Sequence, residues 1–267
     1  MMKIAFIGGG VMAEAIIAGV RDAKLPCEIA IGEPVKARRD ALAKYNLDAV
    51  AENAQAAKGA DIVALAVKPQ QFDHAASELK GVLTPDQTVL SIMAGVKMHS
   101  IGLKLNHRRL IRVMPNTPAQ IRQGMSVWTA SAEVPQEHMD FTQKMLAAVG
   151  DEIKLGEEKY VDMATALSAS GPAYVFLFIE SLTDAGVLLG MPLDVARRLA
   201  VKTVMGSAAL VKESGRHPAE LRNGVTSPGG TTAAALLALE EGGFRAATIN
   251  AVKAAYQRGE ELGAGSK

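Results

Sequence analysis

The chain has 267 residues, 49% of them hydrophobic, enough to bury a sizeable core and to divide into two domains. Its 29 Lys and Arg residues balance 28 Asp and Glu, a formal charge of +1 that argues against a nucleic-acid or polyanion partner. One cysteine, Cys27, rules out an internal disulfide and points to a reducing, cytoplasmic compartment, and five scattered histidines (His74, His99, His107, His138, His217) lack metal-ligand spacing, so no metal is expected.

The opening apolar stretch, Ile4–Ile7, breaks into three glycines, too soon for the core of a signal peptide, and reads as a buried first strand. No apolar run approaches the ~20 residues needed to cross a bilayer, so no membrane association is expected. Up to residue 155, short apolar runs alternate with helical patterns. The candidate strands are Lys3–Ile7, Cys27–Ile31, Ile62–Val67, Thr88–Ser91, Leu110–Val113, Ser126–Thr129 and Asp151–Leu155. Stretches such as Val35–Lys44 and Gln70–Leu79 carry apolar residues at spacings of three and four. Strands apolar throughout, separated by helices, predict a parallel sheet covered on both faces, a Rossmann-type doubly wound α/β domain over residues 1–155.

Beyond Gly156 the strand signals vanish and helix punctuation recurs. Ser170-Gly171-Pro172 reads as a helix start, with Pro in the first turn where its missing N–H costs nothing. Gly190 and Gly215 read as stops, Pro192 and Pro218 as starts, and Thr231–Glu241 and Phe244–Leu262 as the last two helices. Residues 156–267 are therefore expected to form an all-helical domain. Its helix from Ala173 to Leu189 is apolar on nearly every side and needs cover all round. So few helices cannot surround it, which predicts a homodimer, or a larger homo-oligomer, built on this domain.

Gly8, Gly10 and Ala13 fit G-x-G-x-x-G/A between a strand and a helix. Gly8 permits the tight turn, Gly10 lets the backbone approach a pyrophosphate, and Ala13 allows close packing of helix on strand. Gly8, Gly9, Gly10, Val11, Met12 and Ala13 are thus expected to hold a dinucleotide at a helix N-terminus. Glu33, at the end of the second strand, could take the adenosine ribose hydroxyls and favour NAD, whereas Lys36, Arg38 and Arg39 could neutralise a 2′-phosphate and favour NADP. Strand C-termini face the ligand in a parallel sheet. That brings Ala66, Val67, Lys68 and Pro69, then Ala94 and Gly95, and then Asn116 with Thr117, to the cofactor's edge.

Several motifs together resemble the pyrroline-5-carboxylate reductase family. They are Ile7–Ala13, Val67-Lys68-Pro69-Gln70, Met114-Pro115-Asn116-Thr117-Pro118, Ser170-Gly171-Pro172-Ala173-Tyr174 and, most specifically, Val225–Leu236 with Leu239-Glu240. The resemblance runs over essentially the whole chain in the right order. It implies a Rossmann domain, a helical dimerisation domain, NADPH as the usual donor with NADH as the alternative, and reduction of 1-pyrroline-5-carboxylate to L-proline.

The Val225–Leu236 segment also reads chemically without that resemblance. Ser227-Pro228-Gly229-Gly230 is a turn running into a helix that starts near Thr231. By themselves, N–H groups at a helix start, with the Ser227 and Thr231 hydroxyls, read either as a capping motif without a ligand or as an anion site for a substrate carboxylate, and the resemblance favours the second. Thr232, in the first turn, could hydrogen-bond a ring nitrogen and is the expected catalytic residue, beside Ser227, Gly230 and Thr231 as substrate ligands. An iminium that accepts hydride becomes a neutral amine, so no strong general acid is needed. Glu180 and Asp184, one turn apart on the apolar helix, read first as helix-face polarity or an interface hydrogen bond, and second as counter-charges to an iminium. A β-hydroxyacid dehydrogenase would need a proton acceptor early in the long helix, where Val175 and Ile179 stand. A dinucleotide sensor would need no carboxylate pocket.

Overall fold

A computed structural model describes residues 1–47 and 49–264. The chain divides into two compact units. One holds Met1–Ser170 together with the stretch from Ala255 onward, and the other Gly171–Ala254.

The first unit is built on eight strands: β1 (Met2–Ile7), β2 (Cys27–Gly32), β3 (Ala49–Val50), β4 (Ile62–Leu65), β5 (Thr88–Ser91), β6 (Leu110–Met114), β7 (Gly124–Ala130) and β8 (Gly150–Lys154). Their order is β3-β2-β1-β4-β5-β6-β7-β8. The helices between them are α1 (Val11–Asp22), α2 (Lys36–Leu42), α3 (Asn53–Ala57), α4 (Phe72–Leu79), α5 (Met98–Leu105) and α6 (Gln136–Ala147). β1 pairs in parallel with β2 on one side and β4 on the other. The chain therefore reverses its direction of winding at β1, and the crevice beyond that strand's C-terminus is where such sheets bind ligands.

The inner strands β4, β5 and β6 are buried along their whole length because both faces of the sheet are covered. Ile4 and Phe6 join a cluster with Ile16, Ile17 and Val20 of α1 and Met145 of α6. Ala5 and Ile7 point the other way, into a cluster with Ala56 of α3, Phe72 and Leu79 of α4, and Ile101 of α5. This period-two division buries one residue set under each helical layer.

All seven expected strands are present, with β3 added as a short edge pair. The expectation of a wholly parallel sheet is corrected at one step, since β7 runs antiparallel to β6. The connection 115–123 holds only a tight turn at Thr117–Ile121, too short for the crossover that parallel strands require. β8 then returns parallel to β7 across α6.

The helix expected to open at Ser170-Gly171-Pro172 is present, and a further helical stretch leads into it. A helical run starts earlier, as α7 (Lys159–Ala164), widens into a π turn (Thr165–Ala169) and continues as α8 (Gly171–Leu188). Pro172 cannot bond the carbonyl four residues back, Ser168 O. That carbonyl accepts instead from Asn116 Nδ2 at 3.3 Å. The π turn and Asn116 together let the helix pass through a proline. The whole run, Lys159–Leu188, is long and apolar enough to cross a membrane by length and composition only.

In the second unit, α8 packs on α9 (Leu193–Ser214) through small residues. A Cβ on Gly186 would come 2.8 Å from Ala196 Cβ. Gly190 (φ +92°) and Gly215 (φ +62°) end α8 and α9. α10 (Pro218–Gly224), α11 (Thr231–Glu241) and α12 (Phe244–Ala264) follow, the part of α12 from Ala255 onward belonging to the first unit. Within the single chain α8 buries only Thr183, and Phe176 and Leu177 stand 61% and 63% exposed.

Candidate active site

The glycine loop is held by backbone bonds on both sides: Gly8 N–H donates to Gly32 O (2.7 Å) and Ala66 N–H to Ile7 O (2.8 Å). Gly8 sits at φ +97°, and a Cβ there would come 3.0 Å from the Ala66 carbonyl and Val67 Cγ1. Gly9 has Leu42 beneath it in the same way. Gly10 differs, because a Cβ on it would meet only Ala66 O at 4.0 Å. Gly10 is the N-cap of α1 and offers no side-chain cap, so the first-turn N–H groups are open to an anion. These residues fit a dinucleotide pyrophosphate.

Glu33 lies directly against this loop. Its Oε2 accepts Gly9 N–H and its Oε1 accepts Val35 N–H, each at 2.8 Å, and the residue is 7% exposed. The carboxylate thus faces into the protein and braces the loop. Arg38 donates through Nε and Nη2 to Gly9 O (3.1 and 2.6 Å), and Arg39 Nη1 donates to Glu33 O and Pro34 O. Arg38 also pairs with Glu14, whose pKa lies below its ordinary value, first through the hydrogen bond from Lys44 and against the opposing effect of burial. Lys36 pairs with Asp40 at the exposed surface.

The other expected cofactor residues come together at the C-terminal ends of β4, β5 and β6. Pro69 starts a 3₁₀ turn just after Ala66, Val67 and Lys68. Ala94 is exposed, and Gly95 (φ +75°) turns the loop after β5. Asn116 has both ends of its amide engaged, Nδ2 with Ser168 and Oδ1 with Met125 N–H. Asn53, absent from the sequence reading, lies at the same edge beside Gly32. Its Nδ2 donates to Glu78, while its buried Oδ1 has no partner among the described groups. Cys27 is half-buried, which pushes its thiol pKa up and keeps it protonated.

In the second unit, Gly229 (φ +66°) turns the chain and Gly230 N–H donates to Ser227 O (3.1 Å). Any Cβ on Gly230 would collide with Ser227 Oγ, so the serine hydroxyl lies over a glycine that only a hydrogen leaves room for. Gly230 is the N-cap of α11 and again provides no side-chain cap. Ser227 and Thr231 are exposed, and Thr232 is half-buried. Ser227, Gly230, Thr231 and Thr232 thus share one open helix start.

A doubly wound sheet with an uncapped glycine-loop helix, joined to helices that present a hydroxyl-lined helix start, defines a nicotinamide-dependent oxidoreductase. A family model described as pyrroline-5-carboxylate reductase dimerisation matches residues 158–262, and one described as NADP oxidoreductase coenzyme F420-dependent matches residues 3–95. A pyrroline-5-carboxylate reductase of Synechocystis sp. is 44% identical over 98% of each chain. Among solved structures, the pyrroline-5-carboxylate reductase of Coxiella burnetii matches with a TM-score of 0.88 at 37% identity over 97% of each chain. The Plasmodium falciparum pyrroline carboxylate reductase with NADP bound matches with a TM-score of 0.89 at 30% identity over 98% of each chain. The chain belongs to the pyrroline-5-carboxylate reductase family, NAD(P)H-dependent oxidoreductases that reduce a C=N bond in the last step of proline biosynthesis.

Proposed function

We propose that residues 1–155 act as the dinucleotide-binding domain and residues 156–267 as the substrate-binding and dimerisation domain of a cytoplasmic homodimer that prefers NADPH. In this reading Gly8–Ala13 hold the pyrophosphate. Lys36 stands near the adenosine end, and Ala66, Val67, Lys68, Pro69, Ala94, Gly95 and Asn116 border the rest of the cofactor. The inward turn of the Glu33 carboxylate supports NADPH, because its oxygens are taken up by Gly9 and Val35 N–H while two cations, Arg38 and Arg39, lie against the same loop and turn.

The open N-terminus of α11 carries the substrate assignment. The imine's carboxylate takes the first-turn N–H groups with the Ser227 and Thr231 hydroxyls, and Thr232 Oγ1 accepts the ring N–H of the protonated imine. The bound nicotinamide supplies the hydride that adds to the C=N carbon. The nitrogen already carries its proton, so the product is a neutral secondary amine and the chain moves no proton. Its contribution is orientation and proximity.

Steady-state kinetics with 1-pyrroline-5-carboxylate and either cofactor test the reading. We expect Thr232→Ala to lower kcat/KM for the imine while the dinucleotide Kd stays at the wild-type value. Loss of dinucleotide binding in that variant would remove α11 from the substrate site.

A further inference from the structure

The loop after β5, residues Ile92–Val96, is fixed at its C-terminal end by two carboxylates, Glu158 at the N-cap of α7 and Asp162 within it. Lys97 Nζ ion-pairs with Asp162 Oδ2 at 2.5 Å, and Met98 N–H donates to Glu158 Oε1 at 2.7 Å. The same two acids are spanned by Arg112 of β6, with Nη1 on Glu158 Oε1 (2.8 Å) and Nη2 on Asp162 Oδ1 (2.7 Å). The Arg112 side chain is 0% exposed. A buried guanidinium is strongly unfavourable unless paired, so Glu158 and Asp162 are held where Arg112 puts them. Their remaining lone pairs then set the positions of Lys97 and Met98.

The end of α12 closes on the same loop from another direction. A Cβ on Gly263 would come 2.7 Å from Gly95 O, and one on Gly95 would come 3.3 Å from Leu262 Cβ. Gly95 is therefore pinned by close packing at the middle of the loop and by charge at its end. Nothing in the proposed chemistry uses Lys97, Arg112, Glu158 or Asp162, yet they converge on a segment assigned to the cofactor.

We propose that Lys97 is a positioning residue for the dinucleotide. Its ion pair with Asp162 ties the Ile92–Val96 loop to the Arg112–Glu158–Asp162 cluster and so fixes where Ala94 and Gly95 meet the cofactor. The proposal rests on the assignment of Ala94 and Gly95 to the cofactor site.

Lys97→Met keeps the aliphatic stem and removes the charge, while Asp162 retains Arg112 as a partner. We expect the dinucleotide KM to rise about fivefold, the ceiling for a partly exposed pair, with kcat and the imine KM within about twofold of wild type. Lys97→Arg should restore the dinucleotide KM. If Lys97→Met does not fold, Lys97→Gln carries the same test. Ala94→Leu, at an exposed position, separates the two ideas. If Ala94→Leu raises the dinucleotide KM and Lys97→Met lowers only Tm, the loop contacts cofactor and the positioning role is overturned. If neither variant moves that KM, the assignment of the loop to the cofactor falls and the proposal with it.

Discussion

Gly9 donates its N–H to the Glu33 carboxylate at 2.8 Å, and the second oxygen of that carboxylate holds Val35 N–H. An acid at the end of the second strand of a dinucleotide fold is placed to read ribose hydroxyls. Here it supports the glycine loop that we propose holds the pyrophosphate. Glu33→Gln should therefore raise the KM values for NADPH and NADH by the same factor. A change confined to NADH, measured by initial rates with each cofactor, would return Glu33 to the ribose.

Arg39 is the matching test of the cation side. Its Nη1 holds the carbonyls of Glu33 and Pro34, so its guanidinium lies beside the turn that follows β2. Arg39→Ala should raise the KM for NADPH about tenfold, the scale of one lost charge-assisted contact, and leave that for NADH nearly unchanged. Equal effects on both cofactors would assign Arg39 to the turn alone.

Gly230→Ala probes the other half of the chemistry. Gly230 has an ordinary φ of −79°, so alanine acts chiefly by driving Ser227 Oγ away, with a lesser push on the Ser227 carbonyl at 3.2 Å. We expect the imine KM to rise about tenfold, as for a lost hydrogen bond to a charged group, and the dinucleotide Kd to hold. An unchanged imine KM would show that the Ser227 hydroxyl does not touch substrate.

His138 gives a pH signature in the first unit. Its Nδ1 lies 2.7 Å from Thr88 Oγ1, and burial holds its pKa below the ordinary histidine value. The folded chain resists protonating this ring more than the unfolded chain does. Its stabilising contribution is complete above about pH 6.5 and is lost as pH falls through the range below it. Tm should therefore drop between about pH 7 and pH 5, and His138→Asn should flatten that slope. Parallel Tm–pH curves for the two proteins would contradict this.

Phe176 and Leu177 of α8 are exposed in the single chain and lie within the segment matched to the dimerisation family. Phe176→Lys should shift the sedimentation profile toward monomer. A variant that sediments like wild type would place the subunit contact elsewhere.

Much of this architecture is written locally in the sequence. Gly8, Gly10 and Ala13 declare their loop because each satisfies a steric demand within one strand-turn-helix unit. Ile4–Ile7 and Ile62–Leu65 read as strands because burial on both faces makes them apolar throughout. Strand direction is different: hydrophobic period is the same forward and backward, so the antiparallel setting of β7 was invisible. Pro172 read as a helix start because the carbonyl it leaves free, Ser168 O, finds Asn116, which lies far away in sequence. The same limit hid the orientation of Glu33 and the partners of Arg112. Arg112 stands inside the otherwise apolar strand Leu110–Met114, but the acids that pair with it, Glu158 and Asp162, lie more than forty residues on.

The bare surface of α8 has a further consequence, in mass action. A helix that finds its cover on a second copy makes the stability of the fold depend on protein concentration. Dilution then works like a denaturant. Specific activity should fall at the lowest enzyme concentrations used in an assay, and the melting temperature should climb as the protein is concentrated.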